Sequence, residues 1–60
     1  MTPAEFTAAR KSLGLTQQKL GEGFGRSKRQ VVTWEKDGPD PLAVRYMQAL
    51  LSGYRPSDWP

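Results

Sequence analysis

Cysteine and histidine are both absent from these 60 residues. Without cysteine no disulfide or thiolate metal site can form, and without histidine the usual ligands of zinc, copper and iron are missing together. General acid–base catalysis near neutral pH also loses its commonest side chain. Apolar runs extend over only a few residues, too few for a transmembrane span or a signal-peptide core, so a cytoplasmic location is expected. Acid is scarce as well: six Asp and Glu stand against nine Lys and Arg, a net charge of +3. On so short a chain that balance favours polyanions over acidic or neutral ligands, although many small proteins are slightly basic and composition alone does not decide the matter.

The remaining candidates for catalysis have simpler explanations. Asp37 and Asp40 are closely spaced acids, but they lie in the Gly-Pro loop Asp37-Gly38-Pro39-Asp40-Pro41, where turn formation and helix capping account for them. Ser12, Ser27, Ser52 and Ser57 have no base beside them. No enzymatic activity, cofactor, metal or small-molecule ligand is expected.

What the sequence does contain is helix punctuation. Thr2-Pro3-Ala4-Glu5 reads as an N-cap, a proline at the first helical position and the acid of a capping box. Phe6, Ala9, Arg10 and Leu13 follow at helical spacing, and Gly14 ends the run. Thr16 caps a second helix from Gln17 to about Phe24, with Leu15, Leu20 and Phe24 as its core contacts. Gly21 and Gly23 interrupt it, each at a cost of roughly 1 kcal/mol relative to alanine, so this helix is expected to be the weakest. Gly25-Arg26-Ser27 is the turn into a third helix, Lys28 to Lys36, with Gly25 suited to a left-handed helix end and Ser27 to a capping box with Gln30. Asp40 and Pro41 start a fourth, and Leu42, Ala43, Tyr46, Met47, Leu50 and Leu51 give it an apolar arc wider than one small core needs.

Placed at about 100° per residue, the third helix divides into two faces. Lys28, Arg29, Val32, Thr33 and Lys36 share an arc of roughly 140°, while Val31, Trp34 and Glu35 take the other side. The first arc holds no acid, whereas a merely solvated face usually mixes both signs.

The stretch LGLTQQKLGEGFGRSKRQVVTWEKDG resembles the helix-turn-helix domain of the phage-repressor-like, Cro/C1-type family of DNA-binding regulators. The matching points are Leu13-Gly14-Leu15-Thr16-Gln17, Leu20, Gly21, Gly25, Ser27, Val31 and Trp34-Glu35, without a gap, and the likeness covers residues 4 to 52. Gly23 departs from the family's larger residue. The resemblance implies an all-α, lambda-repressor-like bundle of four short helices, or five if the tail orders, in one domain of residues 1–53 with a C-terminal tail of residues 54–60. By the same resemblance Gln17 and Ser27 touch the DNA backbone, and Lys28, Arg29, Val32 and Thr33 face the bases of the major groove. Gly21 stays small so that two helices can cross closely, and Arg10 pairs with Glu35, the alternative being that Arg10 snorkels to solvent.

Side-chain chemistry divides the roles further. Arg29 can fork onto guanine O6 and N7, Lys28 does so less selectively, and Val32 and the Thr33 methyl suit a thymine methyl group. Arg26 and Lys36 flank the helix and are assigned to phosphates. The expected function is a sequence-specific double-stranded DNA-binding transcriptional regulator, a small Cro-like repressor acting as a homodimer on a palindrome in the nucleoid. The alternatives are an antitoxin-like or accessory regulator, or a protein-interaction module on the same framework. The tail carries two aromatics in seven residues, too apolar for a solvated terminus. A dimer contact built from Leu51, Tyr54 and Trp59 is favoured over folding back on the same domain.

Overall fold

The computed structural model describes residues 1–59, and helix starts within them fall where the capping residues stand. The first helix, α1 (Pro3–Ser12), opens on Thr2, whose Oγ1 accepts the Glu5 amide at 3.1 Å while the Glu5 carboxylate accepts the Thr2 amide at 2.7 Å. Thr16 accepts the Lys19 amide at the head of α2 (Gln17–Phe24), Ser27 the Gln30 amide at the head of α3 (Lys28–Asp37), and Asp40 the Ala43 amide at the head of α4 (Pro41–Leu51). Each bond satisfies one of the amides that a helix start leaves without an intrahelical partner. Ser27 makes only its half of the expected box: among the described residues no bond returns from the Gln30 side chain to the Ser27 amide.

The four helices are the whole regular structure of residues 1–59, with no strand among them. α3 packs against both α1 and α2, and α4 packs against α1. Phe6, Leu20, Val31, Met47 and Leu50 are sealed from solvent between them, with Ala9, Trp34 and Ala43 completing the core. Four aromatic rings tie the helices together inside it. Phe6 meets Trp34 edge-on at 5.8 Å and Phe24 at 6.4 Å, and Phe24 stacks on Tyr46 at 4.5 Å with the rings 12° from parallel. Such pairs add about 0.5–1.5 kcal/mol each beyond their area burial.

The wide apolar arc of α4 is only partly used. Ala43, Met47 and Leu50 enter the core, whereas Leu42 is 78% exposed and Leu51 46% exposed. In the tail, Trp59 folds back and packs on the core of its own chain, over Gly23 of α2. No helix among the described residues is long and apolar enough to cross a membrane.

Candidate functional site

The turn between α2 and α3 is where local chemistry sets the geometry. Gly25 takes φ 70° and ψ 27°, the left-handed conformation that glycine adopts without a Cβ penalty, and the Arg26 amide reaches back to the Gly21 carbonyl at 2.7 Å. Gly21 is fully enclosed here. A Cβ on it would lie 2.9 Å from the Ser27 carbonyl oxygen and 3.0 Å from that of Arg26, closer than real Cβ contacts come. The absent side chain is what lets the start of α3 run tight against α2.

α3 is then fixed in rotation from its inner side. Val31 and Trp34 are buried, and Glu35 is held at two points: its Oε2 accepts Arg10 Nε at 2.6 Å and its Oε1 accepts Gln17 Nε2 at 3.0 Å. Arg10 also donates through Nη1 to the Leu15 carbonyl at 2.8 Å. The ion pair keeps only 13% and 9% of its two side chains exposed, so water screens it little. One acid thus joins α1, α2 and α3, and its charge is spent inside the domain.

The opposite face of α3 is in solvent. Lys28, Arg29, Val32, Thr33 and Lys36 are all exposed, and Arg26 and Ser27 lead into them from the turn. Among the described residues Arg10–Glu35 is the only ion pair, so the cations of Arg26, Lys28, Arg29 and Lys36 carry uncompensated charge. Asp37, the last residue of α3, is exposed just past the edge of this arc. The Thr33 hydroxyl donates to the Arg29 carbonyl at 3.1 Å, so its proton is used within α3. Ser27 Oγ accepts the Gln30 amide, and its own O–H remains available to donate.

A cleft of about 400 Å³ opens between the first turns of α2 and α3, lined by Arg10, Thr16, Gln17, Gln18 and Lys28. Helix starts present free amides and a positive dipole end, and Lys28 adds a charge, so the cleft suits an anion such as a phosphate. Of the residues expected to touch phosphate, Arg26, Ser27 and Lys36 lie exposed around α3, while Gln17 is half-buried with its side-chain amide bonded to Glu35. Sequence reasoning did not foresee that bond, since nothing in the spacing of residues 17 and 35 marks a contact. Of the residues assigned to a dimer contact, Leu51 and Tyr54 are exposed, Tyr54 by 54%, and Trp59 is engaged on its own chain.

The pKa of Glu5 is lowered, first by its bond from the Thr2 backbone, far from this face. That of Tyr46 is raised, mainly by partial burial of its hydroxyl. Comparison with protein-family models, with curated proteins and with solved structures finds no match, leaving the chain's own side chains as the ground for its function.

Proposed function

We propose that this chain is a sequence-specific double-stranded DNA-binding regulator, with α2, the Gly25 turn and α3 acting as a helix-turn-helix and α3 as its recognition helix. The carrying observation is the two-sidedness of α3. Its inner face is locked by Val31, Trp34 and the Arg10–Glu35 pair, and its outer face offers Lys28, Arg29, Val32, Thr33 and Lys36 to solvent with no acid among them. A rigidly held helix with a basic outer face fits the major groove in width and charge.

Within that reading Arg29 reads guanine through its two-pronged guanidinium, Lys28 reads an adjacent acceptor, and Val32 and the Thr33 methyl pack on thymine. Ser27, Arg26 and Lys36 hold phosphates on either side and set the register, as does the start of α2 at Gln17. Gln17 acts chiefly through its backbone amide, because its side chain is tied to Glu35. The protein acts as a small repressor with no catalytic step. A lone recognition helix makes few base contacts, so a homodimer on a palindrome, with half-sites about 34 Å apart, completes the reading.

Fluorescence anisotropy tests it, with the duplex upstream of the protein's own coding sequence beside a scrambled duplex, at low and physiological salt. Binding to the upstream duplex that survives salt while the scrambled duplex releases is the expected result. Equal, weak binding to both that vanishes with salt would overturn it.

A further inference from the structure

Gly23 and Trp59 are each odd alone and complementary together. Glycine inside the eight-residue α2 costs helix stability, and whereas the atoms nearest a Cβ on Gly21 are backbone, those nearest a Cβ on Gly23 belong to a side chain. The group in its way is the six-membered ring of Trp59, which a Cβ on residue 23 would overlap. The Gly23 carbonyl, one of the last four of α2 and so without an intrahelical partner, accepts the Tyr46 hydroxyl at 3.0 Å. Residue 23 is therefore held by α4 at its carbonyl and covered by the tail at its α-carbon.

The tail that delivers Trp59 is lightly attached. Gly53 and Tyr54 close the end of α4, their backbone amides donating hydrogen bonds to the Leu50 and Ala49 carbonyls. Beyond them, among the described residues, the tail's single hydrogen bond to a helix runs from Arg55 Nη1 to the Leu50 carbonyl at 3.0 Å. The Arg55 guanidinium also lies 5.5 Å from the centre of the Trp59 ring, in range for a cation–π contact. Tyr54, Arg55, Ser57 and Asp58 remain exposed. A segment anchored by one indole and one side-chain bond opens far more readily than the domain unfolds.

We propose that residues 55–59 are a releasable clamp: seated on Gly23, Trp59 holds the C-terminal half of α2 and the turn that aims α3, and lifting it loosens that turn. α2 depends on the clamp because it has two interior glycines, no acid in its first turn and no base in its last. The consequence for DNA affinity rests on the function proposed above, whereas the mechanical coupling does not.

The test uses the full chain as Gly23→Ala, Trp59→Ala and the double variant, read by amide hydrogen exchange without DNA. Trp59→Ala should speed exchange at residues 21–27 by about tenfold and leave α1 nearly unchanged. Gly23→Ala alone should do the same by expelling the indole, and contacts from residue 23 to the Trp59 ring, present in the native chain by NMR, should vanish. In the Trp59→Ala background the sign reverses: Gly23→Ala should slow exchange there by about fivefold, as alanine restores helix propensity. Additive effects of the two substitutions, or unchanged exchange at residues 21–27 in Trp59→Ala, would refute the clamp. Global unfolding of Trp59→Ala would refute it too, since the indole would then be core. A parallel titration with the upstream duplex separates the two ideas. A native chain that ignores DNA sinks the regulator, and the exchange data still decide the clamp.

Discussion

Glu35 shows how one side chain can serve the whole site without facing it. It is 25 residues from Arg10 in sequence and bonded to it at 2.6 Å, and its second oxygen holds Gln17. Removing the carboxylate leaves a largely buried guanidinium with only the Leu15 carbonyl and an unanchored Gln17. Glu35→Ala should therefore cost about 3 kcal/mol, the low end for breaking a buried pair, against the few tenths typical of an exposed acid. Urea unfolding measures it, and a loss below about 1 kcal/mol would show the pair to be ornamental. Under the DNA-binding function proposed above, the outer face of the same helix should separate two kinds of cation. Arg29→Ala should cost ~1–3 kcal/mol on the preferred duplex and relax the choice at one base pair, because a bidentate base contact disappears. Lys36→Ala should weaken binding to all duplexes alike and lower the salt slope by about one, because a phosphate contact disappears. Anisotropy titrations on specific and random DNA check both, and identical behaviour of the two variants would end the division of roles.

Among the elements, the starts of helices were the most legible. Thr2, Thr16, Ser27 and Asp40 each accept the amide three residues on, as their types and positions foretold. Capping is local chemistry, visible within four residues. The two faces of α3 were legible for the same reason, periodicity along one helix. Gly23 was not, because its reason is Trp59, brought over it by the fold from the far end of the chain. The surplus width of the α4 arc was legible too, and Leu42 and Leu51 are the part of it that the core leaves exposed, although periodicity alone does not say which residues those are. The capping box of α1 makes a prediction of its own. The Thr2 backbone and hydroxyl bonds favour the ionised Glu5, so its folded pKa lies below its unfolded one. The stabilisation is then present above the unfolded pKa and is lost as pH falls through the folded one. Thermal melts of the native chain and Glu5→Gln should differ near neutral pH and converge in acid. A difference that persists unchanged below the carboxylate range would mean that Glu5 charge contributes nothing to α1.

At the scale of the whole molecule, the question is what the proposed recognition helix can do alone. One copy measures 29 × 22 × 20 Å, so two copies side by side are of a size to place two α3 helices about one turn of DNA apart. With Trp59 packed over Gly23, the homodimer proposed above has Leu51 and Tyr54, exposed at the end of α4, left for its contact. An acid at residue 51 would place a charge in an apolar contact while leaving the core alone, since Leu51 lies outside it. The Leu51→Asp, Tyr54→Ala double variant should melt close to the native temperature and self-associate at least tenfold more weakly by sedimentation equilibrium. Its affinity for a single half-site duplex should match the native chain, because α3 is untouched. On a full palindrome the native chain gains from simultaneous engagement of two half-sites, and the variant should lose that gain. If native and variant chains bind half-site and palindrome with the same ratio of affinities, the end of α4 is not where the copies meet, and the exposed apolar Leu42 at its start becomes the next surface to charge.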